Sequence, residues 1–278
     1  MSFTEIYTQS KNKIINGGLA GSSAAAIQVT SLLWLRTTLN YQYTNGISTT
    51  NALRTLYKQG GVSRFYRGYI PALMLASSAR FTDAVANVGV LEMTKNTSLQ
   101  LYTKTAISSI IAGCCRSLLM PLDVIKTNYQ VRGAKGFEIV KTNIKKNGPR
   151  VLWNGTLAQC TAATVGHFPW FFTYNYLNQQ IPVRKSVYEE LFKQCCIGFC
   201  SSLASDICIN GFKVLKTTKQ TTQIDASYKT IITDIMKKDG FFGLYRGFKT
   251  KLILNGINGM MFSVCWKVMQ DKYNNKYY

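Results

Sequence analysis

Apolar and polar residues follow one another along this chain in long blocks. Residues 14–35, 151–183 and 252–266 contain no formally charged side chain when His167 is counted as neutral. A membrane-spanning helix needs about 20 predominantly apolar residues, whereas a soluble protein has no reason to exclude charge over such lengths. The blocks are rich in Gly, Ala and Ser, which permit close helix packing in lipid. The pattern therefore predicts several transmembrane helices that surround a polar cavity.

Short phrases recur at a period close to 90 residues. FYRG at 65–68 returns as LYRG at 244–247 and, weakened, as LWNG at 152–155. The same period aligns SLLWLRTTLN, PLDVIKTNYQ and GFKVLKTTKQ, and each block carries a base, then a threonine, and ends in an amide. The bases are Arg36, Lys126 and Lys216, and the amides are Asn40, Gln130 and Gln220. Self-similarity at a fixed period is typical of a repeat architecture.

Each copy has the pattern of a helix, a loop, a short amphipathic helix and a second helix. The short helices are STTNALRTLYKQ, GFEIVKTNIKKN and SYKTIITDIMKKD, which end at glycine and suit a membrane surface. Their apolar faces are predicted to hold Leu53 and Leu56, Ile139 and Ile144, and Ile231 and Ile235. We therefore predict an all-α membrane protein with six transmembrane helices in three pseudo-symmetric repeats. One domain, 1–278, would contain repeats at approximately 11–100, 101–185 and 186–278.

Charge and cysteine usage narrow the classes of function. The chain has 33 Lys and Arg against 12 Asp and Glu, a net charge of +21, which indicates an acidic partner. The long uncharged blocks exclude a nucleic-acid binder, so membrane lipids are the expected partner. The eight cysteines form no CxxC pair and the single histidine gives no zinc-site spacing, so no metal or other cofactor is expected. Without a nucleophile–base pair or a nucleotide-binding loop, we expect no enzyme.

PLDVIK at 121–126 and DGFFGLYRG at 239–247, with the threefold period, resemble the mitochondrial carrier family. The family signature is Pro-x-acid-x-x-base followed by acid-Gly-x4-aromatic-base-Gly, three times over, and the resemblance covers roughly the whole chain. It implies a multi-pass protein of the mitochondrial inner membrane with a central cavity and surface helices on the matrix side. It also implies cardiolipin as a bound lipid, for which the candidate residues are Arg67, Gly68, Arg246 and Gly247.

In the family, a ring of salt bridges closes the cavity at the matrix side, and the three amides brace it. By this resemblance the ring consists of Arg36, Asp123, Lys126, Lys213 and Lys216, braced by Asn40, Gln130 and Gln220. Only the second copy keeps the proline and the acid, because Leu33 and Lys213 occupy the other acid positions. The family geometry pairs Asp123 with Lys216, leaves Lys126 facing Leu33, and sets Arg36 against Lys213. Such a gate is not expected to lock electrostatically.

The other functional layers of the family are also incomplete. The outer gate is an aromatic-acid-x-x-base element, for which the second copy offers Tyr174, Asn175 and Asn178. The remaining outer-gate residues are Glu92, Lys95 and Lys267. The substrate contact points fall on Leu75-Ala76, Ala162-Ala163 and Leu254-Asn255, which are apolar except for one amide.

Some polar residues still qualify for the cavity. The candidates are Arg80, Arg116, His167, Asp206 and Asn255. Arg116 and Asp206 occupy equivalent positions, and they either bind a zwitterion or pair with each other and fix the bundle. His167 has either a packing role or a proton-relay role.

Two functions remain open at this point. The first is a carrier fold that no longer transports and serves as a structural or accessory subunit of an inner-membrane complex, such as a respiratory complex. The alternative is an active carrier that moves a small anionic or zwitterionic metabolite by alternating access. We favour the first, because both gates and the contact points are degraded while the fold-forming features persist.

Overall fold

The computed structural model describes residues 25–79, 82, 117–182, 186–222, 226–258 and 260–261. All regular structure in these ranges is helical, as predicted. The helices in chain order are α1 (25–45), α2 (Thr49–Lys58), α3 (Gly61–Phe65), α4 (69–79), α5 (Met120–Arg132), α6 (Gly136–Asn147), α7 (Thr156–Gln180), α8 (Val187–Thr221), α9 (Tyr228–Asp239) and α10 (248–258). Short 3-10 turns lie at Gly133–Lys135, Pro149–Trp153 and Phe241–Tyr245.

The three predicted surface helices are present as α2, α6 and α9. Helix α9 begins where the Ser227 hydroxyl accepts a hydrogen bond from the Thr230 N–H at 3.1 Å, an ordinary N-cap. Helices α6 and α9 end at Gly148 and Gly240, whose φ angles of 79° and 64° a side chain would disfavour. The polar and apolar pattern therefore located all three elements.

The buried faces of these helices agree with the prediction in one copy and differ in another. Ile231 and Ile235 of α9 are both 3 % exposed, as expected. In α6 the buried positions are Gly136, Val140 and Asn143, whereas Ile139 and Ile144 are half-buried. The α6 face is rotated by about one residue from the predicted one, since Asn143 turns inward and its amide nitrogen donates to the Thr222 carbonyl.

The long helices differ where the repeated proline is present or absent. Helix α5 begins at Met120, directly after a turn at Leu119, with Pro121 in its first turn. Helices α1 and α8 run without a break through the equivalent positions, Ser31 and Gly211. Proline lacks the N–H that a continuous helix requires, so only the copy that keeps the proline interrupts its helix there.

The described residues form two compact units, each with its own core. The first unit contains residues 25–37, 56–79, 82, 117–156 and 220–222. The second unit contains residues 38–55, 157–182, 186–219, 226–258 and 260–261. In the first unit Val29, Leu33 and Ala72 pack together against Tyr66 and Tyr69. Leu33, which occupies an acid position of the carrier signature, is therefore a core residue.

In the second unit, α7 and α8 approach each other through small residues. Ala158, Ala162 and Gly166 recur every four residues on α7 and are buried. Ser205 of α8 donates its hydroxyl to the Gly166 carbonyl at 2.9 Å, and a Cβ at Gly166 would lie 2.8 Å from that hydroxyl oxygen. Small residues that let two backbones approach are typical of helix packing in membranes.

Arginine side chains satisfy carbonyl groups at three helix C-termini. In the first unit, Arg64 donates to the Gln130 and Val131 carbonyls of α5 at 2.9 Å each, and Arg132 donates to the Thr221 carbonyl of α8 at 3.0 Å. In the second unit, Arg246 donates to the Thr44 carbonyl of α1 at 3.4 Å. A guanidinium group suits this position because the last carbonyls of a helix carry partial negative charge.

The end of α1 is fixed further by residues of α2 and α10 in the second unit. The Thr250 hydroxyl donates to Gln42 Oε1, and it lies 2.9 Å from the Thr49 hydroxyl.

One described helix segment, Tyr188–Thr221, is long and apolar enough to cross a membrane by length and composition.

Candidate functional site

A buried polar cluster of the second unit surrounds the carboxylate of Asp206. Lys213 Nζ contacts Asp206 Oδ1 at 2.8 Å, and Asn255 Nδ2 donates to Asp206 Oδ2 at 2.6 Å. Lys251 Nζ lies 3.9 Å from the same Oδ2 atom. We call Asp206, Lys213, Lys251 and Asn255 the Asp206 cluster. A carboxylate inside a helical membrane protein is costly unless it is paired in this way.

Helical periodicity brings these residues together. Asp206 and Lys213 are seven residues apart, or two turns, and so share one face of α8. Lys251 and Asn255 are four residues apart and share one face of α10 in the same manner. Asn210, between the two α8 residues, donates its amide to the Leu244 and Arg246 carbonyls at 2.9 and 3.2 Å. These bonds fix the start of α10 against α8.

The charges of the Asp206 cluster are unbalanced. Two ammonium groups face one carboxylate, so the four side chains carry a net charge of +1. The Asp206 side chain is only 6 % exposed, whereas those of Lys213 and Lys251 are 27 % and 19 % exposed. A solute would therefore reach the cations more easily than the anion. The arrangement is suited to holding a carboxylate, with Asp206 next to it for a positive group.

Asp123, the acid of the predicted matrix gate, is buried and has two partners in the first unit. It forms an ion pair with Lys126, three residues further along α5, and accepts a hydrogen bond from Gln220 Nε2 at 2.9 Å. The expectation that Lys126 lacks an acid partner is therefore wrong, because side chains at i and i+3 meet on a helix. The predicted brace Gln220 does contact the gate acid.

The other matrix-gate residues also depart from the family pattern. Lys213 forms an ion pair with Asp206 of the same helix. The expected repulsion between Lys213 and Arg36 did not consider this carboxylate. Arg36, Lys216 and Asn40 are half-buried, and Gln130 is buried. The Asp123–Lys216 pair that the family geometry implies stays a prediction.

A chain of hydrogen bonds joins α7 and α8 near the C-terminal end of α7. Tyr174 Oη donates to Gln194 Oε1 at 2.9 Å, while Gln194 Nε2 donates to Glu190 Oε1 at 2.8 Å and to Asn178 Oδ1 at 3.3 Å. Lys193 Nζ lies 3.5 Å from the same Glu190 oxygen. Tyr174 and Asn178 are predicted outer-gate positions. Among the described residues, both form hydrogen bonds with Gln194 of α8.

Sequence reasoning missed four of these polar residues. Lys251 could have been found, since it lies one helical turn before the candidate Asn255. Glu190, Lys193 and Gln194 have the i, i+3 and i+4 spacing of one helix face, which was a detectable signal in the segment EELFKQ. Their contact with Tyr174 depends on how two helices meet, and the sequence pattern does not contain that information.

Several predicted site residues are exposed or lie outside the described residues. His167 is exposed on α7 and lies edge-on to Phe171, with ring centroids 6.0 Å apart. Asn175 is also exposed. The predicted residues outside the described ranges are Arg80, Glu92, Lys95, Arg116 and Lys267.

The predicted lipid-binding residues are placed at two helix N-termini. Gly68 and Gly247, with φ angles of 84° and 71°, directly precede α4 and α10. Arg67 is half-buried, whereas the Arg246 guanidinium binds Asp239 at 2.7 Å and the Thr44 carbonyl. Free N–H groups at a helix start favour anions. Lipid binding at both places stays a prediction.

Comparison with known proteins gives one family and several relatives. The mitochondrial carrier protein family matches residues 9–99, 98–184 and 188–277, in three consecutive copies. The mitochondrial ornithine transporter 1 of Saccharomyces cerevisiae is 26 % identical over 84 % of this chain and 86 % of its own length. The mitochondrial citrate transporter D of Aspergillus niger is 24 % identical over 84 % and 82 %, and the mitochondrial arginine transporter of Arabidopsis thaliana is 25 % identical over 75 % of each chain.

The family match confirms the family resemblance and the three-repeat helical architecture, whereas the relatives overturn the favoured function. They are named as transporters, so the prediction of a non-transporting structural subunit is wrong, and a place in a respiratory complex has no support. The error came from equating altered gate motifs with lost pairing. Lys126 and Lys213 each have a carboxylate partner within their own helix.

Proposed function

We propose that this chain, which belongs to the mitochondrial carrier protein family, moves a small anionic or zwitterionic metabolite across the mitochondrial inner membrane by alternating access. Proteins of this family are transporters, not enzymes. The observation that carries the proposal is the Asp206 cluster, in which two partly exposed lysines share one buried carboxylate.

The names of the relatives support a carboxylate as the recognised group. Ornithine, arginine and citrate differ in net charge, but each contains at least one carboxylate. Lys213 and Lys251 are partly exposed, so a substrate carboxylate can reach both ammonium groups. The size of the substrate and its other charges would determine selectivity.

Substrate binding would also act on the pairing within the cluster. A carboxylate that reaches Lys213 and Lys251 competes with Asp206 for the same ammonium groups. Asp206, released in part, could then accept the ammonium group of a zwitterion together with Asn255. When the solute leaves, Asp206 pairs again with Lys213 and with Lys251. Its carboxylate then reduces the repulsion between the two ammonium groups. Such reversible pairs suit a site that has to open on both sides.

We also propose an anionic membrane lipid, such as cardiolipin, at the starts of α4 and α10. Gly68 and Gly247 directly precede the first turns of these helices, whose N–H groups favour anions, and half-buried Arg67 adds a positive charge at the first of these places. The basic excess of the whole chain, +21, favours such a membrane surface.

Exchange across liposomes tests the transport proposal. Purified protein is reconstituted in vesicles loaded with citrate, aspartate, ornithine or glucose, and uptake of the labelled compound is measured. We expect exchange of at least one of the three carboxylate-bearing solutes and none of glucose. Lys213→Gln and Lys251→Gln should each lower exchange by about 10-fold or more, since each removes a charge-assisted hydrogen bond.

A matched control and one further variant make this test decisive. Lys145→Gln, which changes an exposed lysine of α6, should exchange as the parent protein does. Asp206→Asn should reduce exchange of aspartate and ornithine, which carry an ammonium group, more than exchange of citrate. The reason is that it removes the only carboxylate of the Asp206 cluster. If no carboxylate-bearing solute exchanges, or if the lysine variants exchange like Lys145→Gln, the proposal is wrong.

A further inference from the structure

A cavity of about 560 Å³ lies beside the N-terminal end of α8, in the second unit. It is separated along α8 from the Asp206 cluster, and the proposed function does not use it. The residues that line it are Ile181, Tyr188, Glu189, Phe192, Lys193 and Cys196. Five of them come from the first three turns of α8, and Ile181 follows the end of α7. The cavity thus belongs to one end of the helix that is long and apolar enough to cross a membrane.

Lys193 is the unusual member of this lining. Its side chain is 4 % exposed, and the described residues give its ammonium group one acceptor, Glu190 Oε1 at 3.5 Å. Charge-assisted hydrogen bonds between nitrogen and oxygen are ordinarily about 2.7–2.9 Å long. The same Glu190 oxygen already accepts from Gln194 at 2.8 Å. A buried ammonium group is stabilised by further acceptors for its N–H donors, and the cavity provides the space for an anionic one.

The other lining residues restrict what this acceptor can belong to. Tyr188 and Phe192 are 61 % and 72 % exposed, so aromatic surface extends outward from the buried lysine. Aromatic residues at the end of a membrane-crossing helix are typical of the head-group level of a bilayer. Glu189, which is exposed, adds a carboxylate to the lining. The occupant therefore needs an anionic group, a cationic group and an apolar part.

We propose that this cavity binds a zwitterionic glycerophospholipid, with its phosphate on Lys193, its ammonium group toward Glu189 and its acyl chains along Phe192. The charges of the described residues favour this class over an anionic lipid. Among those residues beside the cavity, Glu189 and Glu190 supply two carboxylates to one lysine, and two carboxylates disfavour a head group that carries only negative charge. The site also differs from the proposed anionic-lipid places, which lie at the starts of α4 and α10.

Lipid retention by the intact protein tests this inference. The purified full chain is equilibrated with mixed micelles of detergent that contain equal amounts of phosphatidylethanolamine and phosphatidylglycerol, and the retained lipids are counted by native mass spectrometry. The parent protein should retain one phosphatidylethanolamine that Lys193→Met loses, with affinity lower by about 10-fold or more. Methionine preserves the apolar stem, so the variant should still fold.

Two further variants separate this site from general lipid adhesion. Glu189→Gln should lower the preference for phosphatidylethanolamine over phosphatidylglycerol, because it removes the partner of the ammonium group. Lys145→Gln, at an exposed position of the other unit, should retain the lipid unchanged. If Lys193→Met retains phosphatidylethanolamine as the parent does, or if the parent retains both lipids equally, the proposal is overturned.

The position of the lipid can be checked with Cys196. Bound phosphatidylethanolamine should slow the reaction of the Cys196 thiol with a maleimide, while exposed Cys160 of α7 serves as the reference in the same digest. Lys193→Met should remove this protection. Inorganic phosphate at millimolar concentration should give none, and equal protection by phosphate alone would show a site for free anions and reject the lipid.

Discussion

Arg64 is the largest side chain that is almost fully buried among the described residues. Its guanidinium group uses three N–H directions, toward Gln59 Oε1 at 3.0 Å and toward the Gln130 and Val131 carbonyls at 2.9 Å. A planar fork with fixed donor directions can serve two consecutive carbonyls at a helix end, whereas a lysine could not. Arg64 therefore completes the hydrogen bonding of α5 at the point where the helix stops at Gly133.

Replacing Arg64 should reduce stability far more than replacing an exposed arginine. Arg64→Gln leaves the two α5 carbonyls without their charged donor and should lower the free energy of unfolding by about 2–3 kcal/mol. The melting temperature in detergent should then fall by roughly 5 °C or more. Arg54→Gln on α2, where the side chain is exposed, is the matched control. Equal melting temperatures for the two variants would contradict the capping role.

The candidate site shows what sequence can and cannot predict for single residues. Asp206 and Asn255 were found from their places in the repeat, and their contact at 2.6 Å joins them. The pairing of Lys213 with Asp206 was missed, because the family pattern suggested interactions between helices. The seven-residue spacing to Asp206 offered a pair within α8. Which of the two geometries is used depends on side-chain packing and not on position in the repeat.

Single elements were predicted well where a local signal was present. The surface helices α2, α6 and α9 have polar and apolar periodicity, and α6 and α9 end at glycines with positive φ, so their bounds could be read from the sequence. The inward orientation of Asn143 in α6 could not be read from the sequence, because its amide donates to a carbonyl outside that helix. Likewise, the close approach of α7 to α8 depends on Gly166 and Ser205 meeting in space.

Two helical glycines give a direct test of that approach. Gly166→Ala would place a methyl group 2.8 Å from Ser205 Oγ and 3.0 Å from an Ile209 methyl, and should cost about 1–3 kcal/mol of stability. Gly198→Ala on α8 adds its methyl group where no atom lies within 4 Å, and should gain up to about 1 kcal/mol from helix propensity. The melting temperature in detergent should therefore fall in Gly166→Ala and rise in Gly198→Ala. A change in the same direction for both variants would contradict this packing.

At the scale of the whole molecule, the proposed transport requires that the folded chain binds its solute. A ligand that binds only the folded chain stabilises it, by about 2.7 kcal/mol at 100 times its Kd. The solute that exchanges best in liposomes should therefore raise the melting temperature of the full chain.

The same melting experiment locates the site. The rise should be lost in Lys213→Gln and in Lys251→Gln, and it should persist in Lys145→Gln. A rise that survives in both cluster variants would place the solute elsewhere. Because this measurement needs no gating, it separates a failure to bind from a failure to transport.

The bonds at the end of α1 have a consequence for how the chain is made. Arg246, which donates to the Thr44 carbonyl, is 202 residues further along the chain, and Thr250 supplies the hydroxyl that meets Gln42 and Thr49. A ribosome adds about 5–20 residues per second, so these partners are synthesised roughly 10–40 s after the helix end that they fix. A chain that stalls before residue 246 would lack these contacts at the C-terminal end of α1, so the stability of that helix end depends on the last repeat.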